Sequence, residues 1–102
     1  MPTHILLGDR AYPLSADAVI VGGGGAPGLA RYLAIESGLA GVSSIHCEVS
    51  VEGGQCLLID RSRYGTFLNG SRISGSATLR AGDTVRVGTP GQELHLIREE
   101  AL

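Results

Sequence analysis

The residues of this chain whose side chains could do chemistry are concentrated in two stretches. Hydroxyl and guanidinium groups lie close together there, at Ser43, Ser44, Arg61 and Arg63. Such groups donate hydrogen bonds to phosphate and carboxylate oxygens. All eight basic residues are arginine, so an anionic ligand would meet planar guanidinium groups and not ammonium groups. These two stretches are therefore the candidate ligand-binding surface.

Catalytic and metal-binding sites need several converging side chains, and the sequence offers no such set. His4, His46 and His95 are far apart along the chain, and no second histidine, cysteine or carboxylate stands at a spacing that suggests a base or metal partner. We therefore predict no catalytic residue, no metal site, no cofactor and no enzymatic activity.

The glycine pattern Gly23-x-Gly25-x-x-Gly28 offers a distant alternative, a nucleotide-binding domain. It follows the apolar run 18–21 and precedes 29–36, the order of strand, glycine-rich turn and helix found in dinucleotide-binding proteins. The chain is short for a doubly wound sheet, and no acidic residue stands clearly at the end of a second strand about 20 residues further on. This alternative requires a helix after the glycines.

The bulk composition excludes other classes of function. A chain of 102 residues forms one domain, 1–102, which can also be a module of a longer protein. The net charge of −2 and the absence of lysine argue against a nucleic-acid surface, which needs clustered cations. No apolar run reaches the roughly 20 residues that span a bilayer, and no signal peptide is visible. We predict no nucleic-acid partner, no membrane partner and a cytoplasmic location.

Short strands are the elements that must position the two stretches. Apolar and polar residues alternate from 45 to 52, and Gly53-Gly54 supplies a two-residue hairpin turn. The apolar run 56–59 predicts a central strand covered on both faces. Many short strands with glycine-rich turns and no clear amphipathic helix predict an all-β sandwich or barrel. Further strands are expected at 3–9, 18–21, 31–36, 66–68, 84–87 and 93–97, with a break at 12–14.

The register of the same hairpin sets the distance between the two cysteines. Counting outward from the turn places Val51 opposite Cys56 and Cys47 opposite Asp60. The two thiols are then more than about 10 Å apart along the ladder, too far for a disulfide. We expect two reduced, buried cysteines, which agrees with a cytoplasmic location.

Three spaced motifs resemble those of the forkhead-associated (FHA) domain, a β-sandwich module that binds phosphothreonine peptides through its loops. They are Ser-x-x-His at 43–46, Asp-x-Ser-x-x-Gly-Thr-Phe-x-Asn-Gly at 60–70 and Leu-x-x-Gly-Asp-x-Val-x-Val-Gly at 79–88. Agreement at three sites is far rarer by chance than agreement at one. The resemblance implies an antiparallel β-sandwich of the FHA type that acts as a non-catalytic protein-interaction module in signalling.

The resemblance also implies roles for single residues. The Ser43 hydroxyl would donate to a phosphate oxygen, whereas an ordinary turn serine would bond its own backbone. His46 would tie the recognition loop together without touching ligand. The remaining motif residues would shape turns, namely Gly65, Thr66, Asn69 and Gly70.

The chain departs from the family at two ligand-binding positions. Gly23 stands where the family has the arginine that grips the phosphate, and Tyr64 stands where it has the asparagine that holds the peptide backbone. A charge-assisted hydrogen bond to phosphate contributes about 1.5 to 3 kcal/mol, so loss of the arginine weakens binding about ten- to a hundredfold. Tyr64 removes amide hydrogen bonds as well. We hypothesise that Arg63, assisted by Arg61 or Arg31, replaces the missing cation, and the alternative is a solvated loop arginine.

Two functions therefore remain open, both with a protein partner. The favoured one is a docking module with weakened or lost dependence on phosphothreonine, in which Tyr64 offers a flat contact surface to an unmodified partner. The alternative is a phosphothreonine-peptide reader that uses Ser43, Ser44 and Arg63.

Overall fold

The structure is a computed structural model, and it describes residues 1–24, 31–35, 41–88 and 91–99. Within these ranges the chain forms strands and no helix, so none of the described residues belongs to a helix that could cross a membrane. The strands are β1 (His4–Leu7), β2 (Arg10–Pro13), β3 (Val19–Gly22), β4 (Tyr32–Ala34), β5 (Cys47–Glu52), β6 (Gln55–Asp60), β7 (Thr66–Leu68), β8 (Ser71–Arg72), β9 (Ser76–Leu79), β10 (Thr84–Val87) and β11 (Gln92–Ile97).

The strands form two sheets that pack face to face. One has the order β2-β1-β11-β10-β7-β8, and the other has the order β4-β3-β5-β6-β9. One continuous apolar cluster joins them, because strands of both sheets bury alternate side chains in it. The predicted all-β sandwich is confirmed. Among the described strands β3 and β4 pair in parallel, whereas the other pairs are antiparallel.

Strict alternation explains the core. In β11, Leu94 and Leu96 are buried while Glu93 and His95 are exposed, because successive side chains of a strand point to opposite faces. With few aromatic residues in the chain, the buried cluster consists mainly of valine, leucine and isoleucine. Their branched side chains suit a pleated surface.

The predicted β5–β6 hairpin is confirmed in its register. Val51 pairs with Cys56 and Cys47 with Asp60, and both glycines of the turn have positive φ, 59° and 78°. Both cysteines are free and buried. Burial, with the nearby carboxylates of Asp60 and Glu48, raises the pKa of the Cys47 thiol to about 12, and burial raises that of Cys56 to about 11. The thiols therefore remain protonated and unreactive at neutral pH.

The strand β6 agrees with the prediction in its position but not in its burial. It lies inside its sheet, between β5 and β9, as expected of a central strand. Leu58 is fully buried, but Leu57 and Ile59 on the opposite face are only half-buried. The prediction of full cover on both faces is therefore wrong, because no second layer packs over the outer face among the described residues.

The predicted break at 12–14 is also wrong. Tyr12 pairs with Ile5, and Pro13 ends the strand β2 at the edge of its sheet. An edge strand tolerates proline because the missing N–H would face no partner strand. The strands β8 and β9 were not predicted. β8 is a polar pair of residues, whereas β9 alternates polar and apolar residues and buries Leu79 in the core.

The nucleotide-binding alternative required a helix over 29–36. Tyr32–Ala34 is instead a strand paired with β3, so that alternative is wrong. The favoured prediction of a short strand at 31–36 is confirmed in its centre. Gly25 and Gly28 of the glycine pattern lie outside the described residues.

Candidate functional site

His46 joins the two stretches that carry the candidate ligand-binding groups. Its ring is fully buried, at 0% exposure. Nδ1 accepts a hydrogen bond from the Ser43 backbone N–H at 3.1 Å, and Nε2 lies 2.9 Å from the Gly65 carbonyl oxygen. A backbone N–H can only donate and a carbonyl can only accept, so the ring is neutral with its proton on Nε2. His46 thus fixes the distance between the loop before β5 and the loop before β7.

Ser43 is held between the same two loops. Its Oγ accepts a hydrogen bond from the Arg63 backbone N–H at 3.2 Å. A hydroxyl that accepts from the protein keeps its own proton free to donate. The half-buried Ser43 side chain therefore has one donor left for a ligand, as the resemblance requires of it, whereas Ser44 beside it is exposed.

The end of β3 packs against the Ser43 loop without space for a side chain. The Gly23 N–H donates to the Ser43 carbonyl at 3.0 Å. A Cβ on Gly22 would lie 1.8 Å from the Ser44 carbonyl oxygen, so only glycine fits there. A Cβ on Gly23 would meet Val42 at 3.2 Å, a tight contact that small shifts of the valine side chain can relieve.

Tyr32 fastens these two loops together, and sequence reasoning assigned it no such role. Its hydroxyl donates to the Ser44 carbonyl at 2.6 Å and accepts from the Gly24 N–H at 3.0 Å. The parallel pairing of β4 with β3 brings this ring to the loops, although Tyr32 is 12 residues from Ser44. No local motif marks the residue, so only the tertiary arrangement reveals it.

The Asp60 carboxylate shapes the loop that follows β6. Its Oδ1 accepts hydrogen bonds from the Ser62 N–H at 2.9 Å, the Ser62 hydroxyl at 2.6 Å and the Thr66 hydroxyl at 2.9 Å. The Ser62 Oγ in turn accepts from the Gly65 N–H at 2.8 Å. Partial burial of Asp60 would raise its pKa, but these hydrogen bonds to the charged form outweigh burial and hold the pKa below its usual range.

A separate turn holds Asn69 and Gly70. Both have positive φ, at 49° and 88°. The Asn69 side chain donates to the Asp83 carboxylate at 3.0 Å and accepts from the Thr84 N–H at 2.9 Å. This turn therefore ties β7 to β10, away from the contacts of Ser43.

We call the surface formed by residues 22–24, 42–46 and 62–65 the loop rim. Hydrogen bonds of His46, Ser43 and Tyr32 hold its three segments together, so the segments keep a fixed relation without any ligand. At its outer side Tyr64 is 63% exposed. Among the described residues, no group of three or more His, Cys, Asp and Glu side chains could hold a metal ion.

The structure separates the three arginines that were expected to assist each other. Arg61 bonds the Glu48 carboxylate through Nε at 2.5 Å. Arg31 bonds the Ser15 hydroxyl and the carbonyls of Pro13 and Asp17 at the edge of the sandwich, and makes no bond to the rim. The predicted assistance from Arg31 stays a prediction, and these contacts do not support it. Arg63 alone of the three is attached to Ser43, through its backbone.

A fourth arginine, Arg72, lies against the rim and was missed. A Cβ on Gly65, whose φ is 103°, would come within 2.6 Å of the Arg72 Nε and 3.1 Å of its Cζ. The arginine side chain thus covers the Cα of Gly65. In the sequence it follows the Asn69-Gly70 turn by two residues, but only the pairing of Arg72 with Phe67 places it beside the rim.

Solved structures of FHA domains are similar to this chain along nearly its whole length. One, from an analysis of phosphothreonine-dependent FHA domain interactions, has 28% sequence identity and a TM-score of 0.73, with 100% of both chains covered. The FhaA FHA domain, solved in complex with the intracellular domain of Rv3910, has 29% identity and a TM-score of 0.69, covering 90% of this chain and 96% of that one. The N-terminal FHA domain of S. cerevisiae Rad53p, solved in complex with a phosphothreonine peptide, shares the fold at 21% identity and a TM-score of 0.73, covering 97% and 94%.

The family assignment rests on sequence as well as on fold. No curated protein matches the chain. The model of the FHA domain family, however, matches residues 32–88, which is more than half of the chain and includes the Ser43 loop, His46 and the Asp60 loop. This chain therefore belongs to the FHA domain family, whose members are protein-interaction modules.

Proposed function

We propose that this FHA domain docks a segment of a partner protein on its loop rim, with a weakened dependence on threonine phosphorylation. The observation that carries the proposal is Gly23. It lies beside Ser43, bonded to it through the backbone, at the position where the family has its phosphate-gripping arginine. Glycine brings no cation to that place.

The framework of the rim is nevertheless retained. His46, Asp60 and Tyr32 hold the loops by hydrogen bonds of 2.6 to 3.1 Å. Retention of the framework without the cation supports a rim that still binds a chain segment, at lower affinity for phosphate.

Tyr64 supports the same proposal. Tyr64 is 63% exposed and follows Arg63, whose N–H bonds Ser43, and the resemblance assigns the family's asparagine to this position. A tyrosine ring offers a flat contact area with one polar end, and such residues are frequent in the centres of protein interfaces. The exchange removes amide hydrogen bonds to a peptide backbone and adds apolar contact that an unmodified segment can use.

A paired titration tests the proposal. Two degenerate peptide pools, identical except that the central threonine is phosphorylated in one, are titrated against the domain by fluorescence anisotropy. We expect the two dissociation constants to differ by less than about tenfold, because one gripping arginine is worth about ten- to a hundredfold. A preference for the phosphorylated pool greater than about a hundredfold would contradict weakened dependence.

A second candidate function is the phosphothreonine reader that uses Ser43 and Arg63. The observation that favours it is the bond from the Arg63 N–H to the Ser43 Oγ, which leaves the hydroxyl proton free and attaches an exposed arginine to the same point. Under this alternative, the phosphorylated pool binds much more tightly, and Ser43→Ala or Arg63→Gln abolishes the difference. Arg10→Gln, at a distant exposed arginine, is the matched control.

The proposal includes the setting of the domain. The partner is a protein and not nucleic acid or a membrane, the domain has no catalytic activity of its own, and it works in the cytoplasm. Residues 1–102 form one domain, which can be a module of a longer protein. The arginine-only basic residues, the small net charge and the two reduced thiols support this setting.

A further inference from the structure

Arg63, Tyr64 and Arg72 are exposed residues around the buried Gly65 of the loop rim, and we call these three residues the arginine–tyrosine patch. Arg63 and Tyr64 precede Gly65 in the chain, and the Arg72 side chain lies across the Cα of Gly65. Both arginines and the tyrosine are exposed. Two guanidinium groups and an aromatic ring thus flank one turn beside Ser43.

The two guanidinium groups of the patch have no partner among the described residues. No hydrogen bond, ion pair or ring contact engages either side chain, although the Arg63 backbone bonds Ser43. Two carboxylates on the neighbouring strands β5 and β6 already have hydrogen-bond partners. Glu48 holds Arg61, and the Asp60 Oδ1 accepts three hydrogen bonds within its own loop.

A domain with a net charge of −2 therefore presents a local cationic surface at its ligand rim. Unpaired arginines also occur elsewhere, at Arg10 and Arg80, so the lack of a partner does not by itself mark a site. The difference is position, because Arg72 lies against Gly65, Arg63 and Tyr64 directly precede Gly65 in the chain, and the Arg63 N–H bonds the Ser43 Oγ. Guanidinium forks match carboxylates in a planar, two-bond geometry.

We propose that the arginine–tyrosine patch selects partner segments that carry Asp or Glu beside the residue facing Ser43. The carboxylates supply the negative charge that the rim no longer takes from a phosphate, with Arg72 as the specificity-determining residue. This inference rests on the proposed docking function and names the chemistry of its partner. Charge complementarity of this kind acts on partner choice and is weakened by salt.

The test uses the domain and degenerate peptide pools with a central threonine. One pool carries Asp and Glu at the flanking positions and another carries Asn and Gln there, and each is made with threonine and with phosphothreonine. We expect the unphosphorylated acidic pool to bind about fivefold more tightly than the neutral pool at low salt, and the preference to fall as salt rises.

Variants assign this preference to a residue. Arg72→Gln should abolish the preference for the acidic pool, whereas Arg80→Gln, the matched control at an exposed arginine in another turn, should retain it. Arg72→Lys keeps the charge but not the planar fork, so it should retain only part of the preference. An undiminished preference for the acidic pool in Arg72→Gln would overturn the proposal.

The outcomes separate this inference from the docking function. Equal binding of the acidic and neutral unphosphorylated pools overturns the role of the patch and leaves docking intact. Binding of the phosphothreonine pools alone, whatever their flanking residues, overturns both the patch and the weakened dependence. Absence of binding by every pool overturns the docking function and the inference together.

Discussion

Replacing Gly23 by arginine should supply the phosphate grip that the resemblance to the family assigns to this position. The φ of Gly23 lies outside the left-handed region, so an arginine can adopt the existing backbone. Its Cβ would lie 3.2 Å from the Val42 Cγ1 and 3.3 Å from the Val42 carbonyl oxygen, which requires shifts of a few tenths of an ångström. The backbone bond from residue 23 to the Ser43 carbonyl does not involve a side chain and should remain.

The expected gain follows from one new charged donor. A hydrogen bond from arginine to phosphate contributes about 1.5 to 3 kcal/mol, so Gly23→Arg should bind the phosphothreonine pool about ten- to a hundredfold more tightly than wild type. Its affinity for the unphosphorylated pool should change by less than about threefold, because a solvent-exposed cation contributes little without its anion.

Gly23→Gln is the matched control, since it tests the same steric contact without the charge. Fluorescence anisotropy with the two pools gives the affinities, and thermal unfolding verifies that each variant folds. If Gly23→Arg folds yet binds the phosphothreonine pool no better than Gly23→Gln, then residue 23 does not face the ligand, and the argument that its identity weakens phosphate binding fails.

Three further predictions concern the framework of the rim. His46→Ala removes a buried ring with two hydrogen bonds, so it should lower the free energy of unfolding by about 2 to 4 kcal/mol, measured by urea titration. A decrease below about 1 kcal/mol would contradict the role of His46 in joining the loops. Tyr32→Phe should lower the free energy of unfolding by about 1 to 2 kcal/mol. It should also speed hydrogen exchange of the Gly24 amide, because that amide loses its acceptor, and unchanged exchange there would refute the fastening role. The Asp60 pKa is lower folded than unfolded, so its contribution to stability is complete above the unfolded value of about 4 and is lost as the pH falls through the folded value. Asp60→Asn should therefore be less stable than wild type at neutral pH, and its stability should decline less steeply on acidification. An equally steep decline in both proteins would show that Asp60 does not contribute to the pH dependence of stability.

Sequence reasoning was most accurate where local chemistry decides local structure. Gly53-Gly54 supplies two residues of positive φ between two apolar strands, so both the turn and its register could be predicted. The strands at 66–68 and 84–87 were likewise confirmed residue for residue. The family could be identified from motifs because each one performs a local task, such as the Asp60 carboxylate bonding Ser62 two residues later.

Long-range neighbours could not be predicted in the same way. The strand β2 contains proline and β8 has only two polar residues, so these elements exist because a neighbouring strand supplies their hydrogen bonds. The arginines show the same limit. The side chain of Arg31 bonds groups of residues 13–17, from which it is separated along the chain by 14 residues or more, and no spacing in the sequence indicates this contact.

Alternation, turn glycines and short motifs are local properties. The all-β class, the β5–β6 hairpin, the family and the lack of an arginine at position 23 could therefore be read from the sequence alone. The contacts of Tyr32 with the loops, of Arg31 away from the rim and of Arg72 with Gly65 are visible only in the folded protein. The physical reason is that these contacts join residues from separate strands, and their geometry arises only when the two sheets are assembled around the common core.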